Sequence, residues 1–354
     1  MNTIETLLAA RRLPALLRFA DGRAVTAESF EERRLELVDI LCREVYGYAP
    51  PAPATVRVTE LKCKEKDFAG KGTLRQLQLS FDTDNGEFGF PVTEVIPTGA
   101  EKCPVFVFIN FRAEVPDRYF PTEEILDAGC AVVRIYYNDV AFDGEDAFKG
   151  GIAAMYDRAK YSWGKIRMWA FAMSRVMDYL QTAPYADKSR IAAIGHSRLG
   201  KTALLAAATD PRFSLACANC SGCTGDALSR GKVGEHLKEI CERFPYWFCE
   251  NYFKYVEKEE EMPFDQHFLV AAIAPRRVAL GAAIEDVWAD PNSQYLSACA
   301  ASAAWELLGE KGFVHPDRLP VPGDRLDAGR LAYHLREGTH FFSRADWHRY
   351  LCLI

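Results

Sequence analysis

Residues 190–209, RIAAIGHSRLGKTALLAAAT, constrain this chain more than any other stretch. A short apolar run ends at Gly195, three residues make a turn, and Leu199-Gly200-Lys201 open a helical pattern. A serine on a tight strand-to-helix turn, here Ser197, is pushed out beyond the edge of a sheet. The backbone N–H that follows it sits at a helix N-terminus, whose dipole favours negative charge. The turn departs from the generic G-x-S-x-G pattern. Leu199 stands where the second glycine is expected, and Gly200 comes one place later. Taken alone, the stretch reads equally as a nucleophile turn or as a Gly-rich connection with an incidental serine.

The rest of the chain supplies a sheet for that turn. Residues 56–64, 74–81 and 90–96 alternate apolar with polar, the pattern of half-buried antiparallel strands. Residues 104–110, 131–138, 190–195, 213–220 and 277–285 are instead short, nearly continuous apolar runs. Helical patterns at 121–129, 165–182, 199–209 and 264–274 separate them. Buried strands alternating with helices predict a parallel sheet covered on both faces. Antiparallel strands leading into such an array predict an α/β-hydrolase fold: a three-layer sandwich with a central, mostly parallel sheet and antiparallel N-terminal strands. One domain is expected over 1–354, with peripheral helices in 1–50 and an aromatic-rich insertion at 224–262 near the strand ends, where sites form.

A nucleophilic serine on such a sheet needs an acid and then a histidine later in the chain. His196 is adjacent to the serine and cannot easily turn back on it. His236 and His267 read as packing or surface residues, and His315 as a loop residue. His334 lies inside the predicted strand 331–337, and His348 within the last helix. His340 follows that strand and precedes the last helix, which makes it the candidate base. The acid should follow the strand at 277–285, where AIEDVWADP offers Glu285, Asp286 and Asp290. A helix starting near Pro291 would be capped more naturally by Asp290 than by Asp286.

Several motifs then point the same way. GHSRLGK resembles the G-x-S-R-x-G-K nucleophile motif of the glucuronoyl esterases, carbohydrate esterases of the α/β-hydrolase fold. SGCTGDALSR, FPYWF, PFDQHFLVAAIAPR, EDVWADP and YHLREGTH follow in the order that family shows. The resemblance covers roughly residues 85 to 354. It implies Ser197 as nucleophile, His340 as base and Asp286 as acid, the last from the D-x-W form of Asp286-Val287-Trp288. It also implies that Arg198 helps hold the oxyanion and that Lys201, Glu235 and Trp288 bind the sugar. Two departures stand out. Cys220 occupies the place where many members carry a glutamate. Residues 110–115, NFRAEV, replace a usual glycine-asparagine-histidine. The implied activity is hydrolysis of glucuronoyl esters, with an acetyl (xylan) esterase as the alternative on the same fold and a non-catalytic or metal-binding protein as the lesser one.

Composition bounds the partners. A net charge of −6 and no basic stripe argue against nucleic acid, and no run is long enough to span a membrane. The expected partner is a small carbohydrate ester, with no cofactor. Eleven cysteines, an odd number in a long chain, do not read as a disulfide framework, and predict mostly buried free thiols in the reducing cytoplasm. Cys217, Cys220 and Cys223 are spaced like metal ligands, but the first two lie on or at the end of a buried strand and face opposite ways. No metal is expected there.

Overall fold

The computed structural model describes residues 3–354. Ten strands form one sheet: β1 (Arg57–Asp67), β2 (Gly72–Thr83), β3 (Gly86–Pro97), β4 (Cys103–Asn110), β5 (Ala131–Tyr136), β6 (Ala186–His196), β7 (Leu215–Asn219), β8 (Arg277–Ala283), β9 (Arg325–Leu326) and β10 (Leu331–Arg336). Their order across the sheet is β1-β2-β3-β5-β4-β6-β7-β8-β10-β9. The six strands from β5 to β10 in that order run parallel. β1, β2 and β3 join antiparallel on one side, and β9 on the other. This is the three-layer α/β-hydrolase architecture the sequence predicts.

Period-two alternation explains the layers. Val105, Val107 and Ile109 of β4 enter one apolar cluster, with the helices Lys165–Leu180 and Arg198–Thr209. Phe106 and Phe108 of the same strand enter the other, with Phe120, Phe342, Trp347 and Tyr350. Both faces of the parallel strands are thus buried, so those strands read as unbroken apolar runs.

β1 departs from expectation. Its alternation predicts a half-buried strand, yet nearly all of it is exposed, Val58 and Leu61 included. It is an edge strand beyond the reach of either helical layer, and Lys62, Lys64 and Lys66 discourage further pairing. β9, two residues long, carried no readable signal. The N-terminal segment is peripheral to the sheet but firmly attached. Leu37, Val45 and Tyr46 are fully buried in the larger cluster, and Tyr46 donates from its hydroxyl to Thr224 O at 2.6 Å.

Beyond β10 the chain is clamped. Asp346, in the helix Arg344–Leu351, is completely buried. It accepts from Arg336 Nε at 2.9 Å and from Ser343 N at 2.8 Å, and pairs with His334 Nε2 at 2.8 Å. Arg336 also donates to the carbonyls of Thr339 and Phe341, on either side of His340. Breaking a buried ion pair from one side leaves an uncompensated charge, at a cost of about 3–5 kcal/mol. Asp346→Ala should lower stability on that scale in urea denaturation. A loss under about 1 kcal/mol would show that Arg336 and His334 do not depend on this carboxylate.

Candidate active site

Four neighbouring parallel strands, β6, β7, β8 and β10, end at one cavity of about 320 Å³. Ser197 follows β6, Cys220 follows β7, Asp286 lies just past β8 and His340 just past β10. All seven residues expected at the site line this cavity: Ser197, His340, Asp286, Arg198, Lys201, Glu235 and Trp288. A larger surface hollow of about 620 Å³ beside Lys71 and Asp117 has no serine, cysteine or histidine in its wall. Volume alone therefore does not mark the chemistry.

Ser197 holds a backbone that non-glycine residues avoid, φ 58° and ψ −128°. Its amide donates to Asn219 O at 2.8 Å, and its carbonyl accepts from Gly200 N at 2.8 Å and Lys201 N at 3.1 Å. The two flanking glycines are required by space. A Cβ on Gly195 would lie 2.1 Å from Leu199 O, and one on Gly200 3.0 Å from the Ser221 side chain. The displaced glycine of the motif thus still does steric work, against the strand β7 side of the turn.

Asp286 and His340 meet through the sheet. Register between β8 and β10 continues past the strand ends, with Ile284 N donating to Arg336 O and Glu285 N to Gly338 O. Asp286 Oδ2 and His340 Nδ1 then lie 2.6 Å apart. Of the three carboxylates in that loop, Glu285 faces solvent and Asp290 caps the helix Pro291–Ala301, accepting from Ser293 N at 3.1 Å. Burial would raise the Asp286 carboxyl, but the hydrogen bond and charge of His340, with the Cys220 thiol alongside, hold it below the usual aspartate value. The Cys220 thiol itself is pushed well up by burial and by the Asp286 charge. Among the described residues no hydrogen bond joins Ser197 Oγ to His340, although both face the cavity. Such contacts are commonly long in substrate-free sites.

Behind His340 stands His196, which the sequence set aside. The two rings are 4.5 Å apart, and His196 stacks on Phe342. His196 pairs with Asn219 Oδ1 through Nδ1 at 2.7 Å. Burial, helped by His340, pulls its pKa down to about 3, so it is a neutral wall that does not repel a charged His340. His267, fully buried elsewhere, is likewise lowered to about 4 by burial.

Arg198 is held by Asp143, which carried no readable signal, and by Trp247 of the FPYWF cluster. Its guanidinium pairs with Asp143 and stacks 4.7 Å from the Trp247 ring centroid. Trp247 Nε1 donates to Asp143 Oδ1 at 2.7 Å. The loop bearing Asp143 is fixed in turn by Lys165, buried at the start of its helix, which donates to Phe142 O and Gly144 O and pairs with Asp146. Arg198 Nε is buried with no acceptor among the described residues. Phe111 N–H donates to the Asn110 side chain at 2.8 Å, so that amide is not free to face a substrate oxygen.

Lys201 is buried, donates to Ser221 O, and has its pKa lowered by burial. Glu235 N donates to Trp288 O at 2.9 Å, which ties the 224–262 insertion to the acid loop. Gly234 permits that approach, since a Cβ there would fall 2.5 Å from Trp288 O. Trp288 is half-exposed at the cavity rim. Cys217 and Cys223 belong to opposite apolar clusters, so the cysteine run does not converge. All eleven thiols are free and eight are buried.

The histidines make a measurable signature. Below about pH 6.5 an unfolded His196 binds a proton, whereas the folded one stays neutral down to about pH 3. Its depressed folded value means stability is lost as pH falls through that window. Between pH 7 and pH 5, His196→Gln should lose about 2 kcal/mol less than the parent in urea denaturation. Equal losses would mean that His196 is already charged in the folded state.

The family model described as "Glucuronyl esterase, fungi" matches residues 80–309. "Carbohydrate esterase MZ0003", from an unknown prokaryotic organism, is 33% identical over 99% of this chain and 90% of its own length. "4-O-methyl-glucuronoyl methylesterase 1" of Wolfiporia cocos (strain MD-104) is 31% identical over 84% of this chain and 72% of its own. Among solved structures, the glucuronoyl esterase from Solibacter usitatus superposes with a TM-score of 0.89, at 32% identity over 96% of both chains.

Proposed function

The chain belongs to the glucuronoyl esterase family, and from that premise we propose that it hydrolyses carbohydrate esters of the glucuronoyl type by acyl transfer through Ser197. The observation that carries the mechanism is the 2.6 Å bond between Asp286 and His340 in the cavity that Ser197 lines. With Nδ1 engaged by Asp286, Nε2 is the nitrogen left to take the serine proton. Ser197 Oγ then attacks the ester carbonyl, and the proton on His340 passes to the departing alcohol. Water releases the uronic acid by the same steps in reverse order. Asp286 keeps the ring in the required tautomer and stabilises its charged form.

The oxyanion falls to Arg198. Its backbone N–H is the first of the helix Arg198–Thr209 and has no partner within that helix. Its guanidinium, aimed by Asp143 and Trp247, adds a full positive charge beside it. Losing one donor of this kind typically costs about 2.7–4 kcal/mol of transition-state stabilisation. In a glucuronoyl ester the carbonyl is borne by the sugar, so the sugar must lie against the nucleophile. Lys201 and Glu235 supply hydrogen bonds to hydroxyls there, and Trp288 supplies an apolar face at the rim.

The deciding experiment compares hydrolysis of benzyl glucuronate with that of acetylated xylo-oligosaccharides. The uronate ester should be preferred; preference for the acetyl esters would assign the cavity to deacetylation. Ser197→Ala should abolish hydrolysis while circular dichroism and melting stay close to the parent, and a variant keeping most of its activity would end the serine mechanism. Lys201→Ala separates binding from chemistry. One charge-assisted hydrogen bond is worth about 1.5–3 kcal/mol, or roughly a 10- to 150-fold drop in kcat/KM. That drop should appear on the glucuronate ester and be far smaller on a simple aryl acetate. Equal drops on both would make Lys201 a support of the turn through Ser221.

A further inference from the structure

Cys220, Asp286 and His340 are the one group of three metal-capable side chains found together among the described residues. The Cys220 sulfur, a carboxylate oxygen of Asp286 and a ring nitrogen of His340 all lie within 4.8 Å of one another. Ligands around tetrahedral zinc stand about 3.3–3.8 Å apart, given bond lengths of about 2.0–2.3 Å. Closing the site takes a contraction of the widest separation by about 1 Å and a parting of His340 Nδ1 from Asp286, now 2.6 Å apart, by about 0.7 Å. His340 sits on the loop after β10 with its side chain 42% exposed, so the most exposed of the three donors is the one an entering ion meets first. An entry path exists, since all three line the same open cavity.

We infer that Cys220, Asp286 and His340 form an inhibitory site for a thiolate-seeking divalent cation of the zinc class. The donor set selects the metal. Thiolate and imidazole favour zinc, cobalt and cadmium, and disfavour magnesium and calcium, which seek oxygen shells. Charge selects it too. A dication with one thiolate and one carboxylate is neutral overall, the form a buried position tolerates best. Binding proceeds without redox. The Cys220 thiol gives up its proton to solvent as the S–metal bond forms. The proton on His340 Nδ1 leaves that nitrogen for Nε2, and the metal takes its place between the ring and Asp286.

The same proton shift explains the inhibition. With metal on Nδ1, Nε2 carries a hydrogen and has no lone pair to accept the Ser197 proton. The base is blocked while the serine turn is left untouched. The cation is thus an inhibitor and not a cofactor: the acyl transfer uses the very nitrogen lone pair that the metal removes. The sequence missed this site because it weighed Cys220 only against Cys217 and Cys223. Its true partners come from loops 66 and 120 residues further along the chain.

The effect on rate rests on the serine mechanism proposed above, whereas metal binding does not, and the test keeps the two apart. Chelator-treated enzyme is assayed on benzyl glucuronate over a range of buffered free Zn²⁺. Rates should fall by more than half at roughly micromolar Zn²⁺ and return on adding chelator. Cys220→Ser and Cys220→Ala, each scaled to its own metal-free rate, should need at least about tenfold more Zn²⁺, the scale on which even outer partners of a metal site act. In parallel, Co²⁺ is titrated and its thiolate charge-transfer absorption recorded, which needs no substrate. The parent should show a band that both variants lose. Inhibition unchanged in the variants, or a cobalt band absent from the parent or retained in both variants, would overturn the site. A cobalt band that depends on Cys220, together with no inhibition, would keep the site and remove the serine mechanism as the process it blocks.

Discussion

The turn at Ser197 is the constraint from which the site follows. A serine at φ 58° is strained on its own, and the surroundings hold it there by leaving no alternative. Gly195 lies against the Leu199 carbonyl so closely that any side chain would force the turn open. Asn219 at the end of β7 accepts from the serine amide, and its side chain pairs with His196. One residue thus ties the serine turn to the wall behind His340. The strain aims Ser197 outward and at the same time starts a helix whose first amide faces the same space.

Sheet register does the remaining positioning. β6, β7, β8 and β10 are neighbours, so residues just past their ends are brought side by side whatever their separation in sequence. The ladder between β8 and β10 runs on through Ile284 and Glu285, which places Asp286 next to His340 on backbone hydrogen bonds rather than on side-chain contacts alone. The wall that carries Arg198 is built differently. Its parts come from loops, and a buried lysine, Lys165, gathers the carbonyls that hold Asp143 in place. A charge that is never in contact with the cavity therefore orients one that is.

How much of this could be read beforehand depended on the local rule each residue obeys. Parallel strands are buried on both faces, so β4 through β8 announced themselves as apolar runs, and β10 was expected as a strand at 331–337. The same patterning misled at β1, because alternation records which residues could face a core and not whether a core lies opposite. That Ser197 and His340 would lie at one cavity was legible because the turn and the loop after the last long strand have fixed places in the order of elements. Asp290 was recognisable as a cap from the proline beside it, whereas Asp286 was singled out over Glu285 only by the resemblance of its D-x-W form. Asp143 and Lys165 were not legible, since irregular loops carry no period and their pairing with Arg198 exists only after folding. Trp247 lay in a conspicuous aromatic cluster, but nothing local says that its indole would reach Asp143.

Cys220 shows how a single departure reshapes the charge of the whole cavity. Asp286 is already nearly buried and keeps its charge only through His340 and the neighbouring thiol. A carboxylate at position 220 would set a like charge beside it, and two such groups cannot both ionise cheaply in a site of low polarity. One would stay protonated, and a proton shared between carboxyls would compete with the His340 hydrogen bond. A thiol avoids that conflict: it is neutral, small enough to leave the loop after β8 undisturbed, and able to favour the aspartate's charge. The same neutrality is conditional, because a thiol exchanges its proton for a soft cation far more readily than a carboxyl does. The residue that leaves Asp286 as the one carboxylate against His340 is thus also the thiol of the inferred metal site.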